Sequence, residues 1–174
     1  MTDMDKLRYP IGPWQKPEFP SPDDIRGWID DIAALPNLLE NAVHHISEER
    51  LDTPYRPGGW TVRQVVHHLA DSHLNCYIRC KWTLTEDTPT IKAYDENGWA
   101  ALPDARELPI EYSLNLVQAL HARWVCVLEN LTEEDMGRGF NHPESGYMDF
   151  PTILSHYAWH GRQHLAHIQI VQPG

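Results

Sequence analysis

The sequence predicts an all-α protein, an up-and-down four-helix bundle, and three observations carry that expectation. Four long segments repeat apolar residues at three- and four-residue spacing, the mark of amphipathic helices. The first two open on side-chain capping signals, and one long crossover separates the second from the third. The 174 residues form a single domain, 1–174, large enough to bury a core without a disulfide or a metal. No internal repeat or low-complexity stretch interrupts it.

Residues 1–21 carry Pro10, Pro13, Pro17 and Pro20 and read as an extended, Pro-rich N-terminal arm strapped along the surface, anchored by Trp14 and Phe19. The first helix opens at Ser21, with Pro22 at its first position and Asp24 three residues on. Its apolar face runs from Ile25 through Ile32, Leu35 and Leu39 to Ile46, and Pro36 should kink or restart it. Turn chemistry from Asp52 to Gly59 closes the unit. The second helix starts on a Thr61/Gln64 capping box with Trp60 and Val65 as a hydrophobic staple, and runs to about residue 85. A long loop from Glu86 to Leu108 follows, in which Asp95 to Ala101 can form a short helix. The third helix begins near Pro109 and carries Leu114, Val117, Leu120, Trp124, Leu128 and Leu131. Gly137 to Asp149 is rich in turn formers and suits an irregular hairpin, and the fourth helix extends from around Pro151 to about Val171.

Charge narrows the function. The 14 basic and 25 acidic side chains give a net −11, which repels phosphate backbones and anionic bilayers, so neither nucleic acid nor a membrane surface is expected as a partner. The longest apolar run, Trp124 to Leu128, is too short to span a membrane, and the acidic start does not resemble a signal peptide. Three cysteines, an odd number at no zinc-ribbon spacing, argue against a disulfide framework and for a reducing cytoplasm. Cys76 and Cys80 fall on an apolar stripe and read as small core residues. The seven tryptophans stand mostly at helix-core spacings, while Trp99 in the long loop is a candidate pocket residue. There is no phosphate-binding glycine loop, no G-x-S-x-G and no H-E-x-x-H.

What stands out is histidine, 11 in all. The fourth helix holds His156, His160, His164 and His167, and at 100° per residue His160 and His164 fall within about 60° of the direction shared by Ile153, Tyr157, Ile168 and Val171. They are one turn apart on one face, so two imidazoles can converge on one ion; His156 and His167 lie at the stripe's edge. Gly161 beside them leaves room for an approaching group. The alternative is a pair of core histidines hydrogen-bonded to neighbours. A third ligand must come from elsewhere, and the second helix offers His67, His68 and His73: periodicity favours His73, the wide buried face of a bundle helix also admits His68, and spacing does not settle the choice.

The stretch YRPGGWTVRQVVHHLADSH (Tyr55 to His73) with YAWHGRQHLAHI (Tyr157 through Ile168) resembles the YfiT branch of the DinB superfamily. Further matching pieces are YPIG at Tyr9, YIR at Tyr77, LTEDTP at Leu84, YDENGW at Tyr94, LHARWV at Leu120 and GFNHPESG at Gly139, so the resemblance covers nearly the whole chain. It implies a metal-dependent hydrolase or, as in close relatives, a thiol S-transferase that uses bacillithiol. It also implies a dimer of up-and-down bundles, each with one divalent ion on three histidines. The helix-two ligand of that pattern, the His of the HLAD element, is His68 here, and the H-x-x-x-H pair is His160 and His164. His67 would then be an exposed neighbour and His73 a core residue or one touching a ligand from behind. Some relatives carry a longer histidine run where this chain has Gly161, Arg162 and Gln163, a difference expected to affect the rim of the site.

Three neutral nitrogen donors leave a divalent ion, zinc or by availability nickel or another metal, its full charge and a place for one more ligand. That ligand is water in a hydrolase and a low-molecular-weight thiol in an S-transferase. Asp71, one turn after His68, is the nearest candidate general base, or else it orients an imidazole or pairs with Arg63 or Arg79. The lack of another well-spaced acid tilts the expectation toward thiolate chemistry on a small electrophile. Arg63, Arg79 and Arg162 are cationic partners for an anionic thiol, though each taken singly reads as a solvated surface residue. A fourth protein ligand, His73, His156 or Asp71, would instead mean a structural ion in a bundle without turnover.

Overall fold

The computed structural model of the chain describes residues 3–172. Four long helices carry it: α2 (Pro22–Val43), α4 (Val62–Thr85), α7 (Glu111–Leu128) and α9 (Phe150–Val171). Between and before them lie α1 (Asp3–Arg8), α3 (Glu48–Leu51), α5 (Glu96–Ala100), α6 (Pro103–Glu107), α8 (Glu133–Met136) and a hairpin of β1 (Gly139–His142) and β2 (Gly146–Asp149).

The caps sit where the sequence puts them. Ser21 and Asp24 exchange bonds across the start of α2, as do Thr61 and Gln64 at α4. Each pair satisfies two amides that the first turn leaves free, so the helix ends are fixed locally before any packing. Asp149 does the same for the Thr152 amide at α9. Trp60 packs onto the cluster that contains Val65.

The four-helix bundle is as expected, and packing gives the order around it. Helix α2 lies against α9 and α7, and α4 lies against α7 and α9, so the consecutive pairs α2/α4 and α7/α9 sit diagonally. One result is that α4 and α9, which carry the candidate ligands, are neighbours. Leu39, Leu69, Ile153 and Ile168 are among the fully buried side chains along the axis. Each contributes roughly 1.5–3 kcal/mol relative to an exposed position.

Several details depart from the sequence reading. The arm begins with helix α1 and only then extends; Trp14 anchors it against the His156 ring at 4.9 Å, whereas Phe19 is 94% exposed. Helix α2 continues unbroken through Pro36 and stops at Val43, where a tight turn returns the Ile46 amide to the Val43 carbonyl. The room beside Gly161 is filled by Leu35: a Cβ there would lie 3.0 Å from its Cδ2, so the glycine serves the close approach of α2 to α9. Of the tryptophans, only Trp124 is fully buried. The short helices α3, α6 and α8 have four or five residues each, too few to print a periodicity. The long loop does carry α5, capped by Asp95, and its Ile91 amide bonds to the Asn141 carbonyl of β1, clipping loop to hairpin. Cys76 and Cys80 are buried and unpaired, while Cys126 is exposed. Among the described residues no helix is long and apolar enough to cross a membrane.

Candidate metal centre

His68 on α4 and His160 and His164 on α9 come together where the two helices face each other. One ring nitrogen from each lies within 4.8 Å of the others, and all three residues are buried. The Nε2 atoms of His68 and His160 are 3.2 Å apart. Periodicity left His68 and His73 open; packing brings His68 to the pair and puts His73 behind His160.

Burial keeps these rings neutral. It pulls the His68 pKa down to about 4, with the neighbouring His167 imidazole adding to the effect. Burial pushes His160 and His164 well below the usual value, helped by neighbouring imidazoles. A neutral imidazole holds one proton and one lone pair, so its outer hydrogen bond decides which nitrogen is free.

Two chains of bonds make that decision. Pro36 has no amide proton for the Ile32 carbonyl one turn back, and His121 donates to that carbonyl from Nδ1 at 2.7 Å. The His121 Nε2 lone pair therefore accepts from His73 Nδ1 at 3.0 Å, and His73 Nε2 accepts from His160 Nδ1 at 3.2 Å. The outcome is a lone pair on His160 Nε2. On the other side His167 Nε2 lies 3.1 Å from the Arg8 carbonyl and 3.2 Å from Gln163 Nε2, which itself donates to that carbonyl at 2.7 Å, and His167 Nδ1 lies 3.3 Å from His164 Nδ1. With the proton on His167 Nε2 the lone pair of His164 is on Nε2; with Gln163 donating to His167 the order reverses.

The fixed lone pair of His160 therefore meets the His68 ring, Nε2 to Nε2 at 3.2 Å, with the His164 ring 4.9 Å from that of His68. A divalent cation accepts from all three, so the donor set fits such an ion. Among the described residues no fourth His, Cys, Asp or Glu joins the cluster.

Over the histidines opens a cavity of about 1060 Å³. The arm (Tyr9, Trp14), the turn before α4 (Tyr55, Trp60), the long loop (Tyr94) and the hairpin (His142) supply its walls. Trp60 lies 4.5 Å from the His68 ring, and Trp159 stacks on His156. Sequence reasoning missed Trp14, Trp60 and Trp159 as wall residues; their place beside prolines, at a helix start and next to His160 was the available signal. Trp99 lies outside the wall, packed at 4.5 Å behind Tyr94.

The other candidates fall as follows. Asp71 is half-buried and its pKa rises to about 6, from burial and then from Asp104. It neither lines the cavity nor pairs with Arg63 or Arg79, and it touches no ligand ring. His67 is buried rather than exposed: it bonds the Ser113 hydroxyl at 2.7 Å and the Leu108 carbonyl at 3.0 Å, tying α4 to α7. Arg63 is also buried, paired with Asp52 and Glu48. Arg162 is on the surface with Asp31. Arg79 is buried in the cavity wall, contrary to its reading as a solvated residue.

A family model described as the DinB superfamily matches residues 31–168. A protein from Oceanobacillus iheyensis named "Putative metal-dependent hydrolase" is 53% identical over 161 residues, 92% of this chain and 93% of its own length. One of the same name from Bacillus cereus is 51% identical over 165 residues, 95% of each chain. Among solved structures, YfiT from Bacillus subtilis, described as "a probable metal-dependent hydrolase with an unusual four-helix bundle topology", superposes with a TM-score of 0.92 at 46% identity, covering 95% of both chains.

Proposed function

This chain belongs to the DinB superfamily, and from that premise we propose that it is a metal-dependent hydrolase whose single divalent ion is held by His68, His160 and His164. The observation that carries the proposal is the convergence of three neutral imidazoles, one of them, His160, with its tautomer fixed by the chain through His73 and His121, at the floor of a cavity large enough for a small-molecule substrate. Zinc suits three borderline nitrogen donors, and nickel or another available metal can take its place. A cation so held supplies Lewis acidity and activates a small nucleophile, water or a thiol.

The chain's own residues do the rest. The relays through His73 and His167 hold the ligand rings in register before the ion arrives. The aromatic walls shed water and present flat faces to a substrate. The relatives' names favour water as the nucleophile. A second reading, S-transfer from a low-molecular-weight thiol such as bacillithiol to a small electrophile, is favoured by the position of Asp71, the carboxylate one turn after His68, which lies outside the cavity. The proposal includes a homodimer, as the family resemblance implies, and a cytoplasmic setting in keeping with three free cysteines.

Protein loaded with one equivalent of zinc is to be assayed on esters and amides without thiol, and on monochlorobimane with and without thiol. Ester or amide turnover that disappears with chelator supports the hydrolase; bimane consumption only with thiol supports the transferase. Stoichiometric zinc with neither activity leaves a structural ion in a binding bundle and overturns the enzyme reading.

A further inference from the structure

We propose that the cavity is built for a substrate carrying an anionic group, carboxylate or phosphate, and that Arg79 is its anchor. The inference deepens the reading of the cavity as the substrate site and rests on it.

Arg79 is only 7% exposed, yet its guanidinium makes one hydrogen bond, from Nη2 to the Lys92 carbonyl at 2.9 Å. Among the described residues no carboxylate lies within ion-pair distance of it. Arg63, on the same helix and equally buried, shows what a structural arginine looks like here: two carboxylates and the Leu108 carbonyl take up its fork. A buried guanidinium without a counter-charge is costly unless something else supplies the charge, and its planar fork matches a carboxylate or phosphate with two parallel bonds.

Other wall groups also offer donors. Five buried side-chain atoms among the described residues lack a partner: Trp14 Nε1, Arg56 Nε, Tyr94 OH, Trp124 Nε1 and Gln163 Oε1. Four of these residues line this cavity; the Tyr94 hydroxyl has the Ser72 side chain within reach, and the orphaned groups of Trp14 and Arg56 can only donate. Unsatisfied donors call for a ligand rich in acceptors. Asp95, Glu96 and Glu144 also border the cavity; burial raises the Glu96 carboxyl pKa and Arg79 partly offsets that, yet none of the three lies within ion-pair distance of the guanidinium.

Position adds a length. Arg79 follows His68 by three helical turns, on nearly the same face, so their Cα atoms are about 16 Å apart along α4. The ligand is therefore elongated, with its anionic end toward Arg79 and its reacting end over the histidines.

The test is direct binding to metal-free and zinc-loaded protein by calorimetry, with succinate, inorganic phosphate and neutral succinamide as probes. Succinate or phosphate should bind both forms while succinamide does not, and the tighter of the two identifies the anion. Arg79→Met should weaken that binding at least tenfold, Arg79→Lys less, with zinc stoichiometry unchanged. The Met variant should also keep or raise the melting temperature, because it removes a buried charge that has no ion-pair partner and only one hydrogen bond; a lowered one would mark a structural arginine and overturn the proposal. Equal binding of succinamide, no binding of either anion, or unchanged binding in Arg79→Met would do the same. Anion binding that depends on Arg79 in a protein without turnover would uphold the anchor and remove only the enzymatic reading.

Discussion

The two candidate ligands on α9 are held from opposite directions by unequal supports. Behind His160 stand His73 and His121, both essentially inaccessible, ending on the Ile32 carbonyl inside α2; every link belongs to a long helix. Behind His164 stands His167, which ends on the Arg8 carbonyl of the arm, and the α1 segment that supplies it has no buried residue. One lone pair is thus as secure as the core, and the other is as secure as a strap tied by Trp159 to Gly12 and by Gln163 to Arg8. Segments with few buried contacts open locally at small free-energy cost. A site can therefore be rigid on one side and adjustable on the other while its three donors look alike.

The largest expected effect removes the comparison altogether. His160→Ala, His164→Ala or His68→Ala should each reduce zinc from one equivalent to near none by elemental analysis, with helical circular dichroism retained, while His67→Ala keeps its zinc and loses stability. Acid comes next. The His121 pKa is down to about 4 through burial, partly offset by its bond to Ile32, against 6.5 in the unfolded chain. The unfolded form therefore takes up the proton first, so stability is complete above pH 6.5 and falls as pH drops toward 4, by roughly 3 kcal/mol for this group alone. Metal-free protein should show that decline in urea melts across the interval, and a flat profile would mean that His121 is charged in the fold. Third, His73→Leu cuts the inner relay and should weaken zinc about 10–100-fold in a chelator competition. The smallest effect belongs to the strap: Trp159→Phe removes one tie of about 1 kcal/mol and should cost less than about tenfold in affinity. If it matched His73→Leu, the two supports would be equivalent and the contrast would fail.

Much of this was legible in the amino acids. The capping boxes at Ser21 and Thr61 are local chemistry and appear as read, and so does the i, i+4 pair of His160 and His164. His67 was misjudged because a one-face picture of α4 leaves its second neighbour out: a bundle helix buries two sides, and Ser113 on α7 takes up the side that periodicity assigned to solvent. Long-range choices escaped for the same reason. Nothing near residue 121 tells that its imidazole reaches residue 32, and nothing near residue 8 tells that its carbonyl orients His167. The cavity walls come from segments without periodicity, the arm, the turn and the long loop, where sequence offers only composition.

A stabilisation campaign would strike Pro36 first, since alanine is favoured over proline in a helix interior by about 3 kcal/mol. Here that repair would hand the Ile32 carbonyl a rival donor and loosen His121's grip on it. The more robust helix would then be the poorer metalloprotein, and the irregularity in α2 is better left alone.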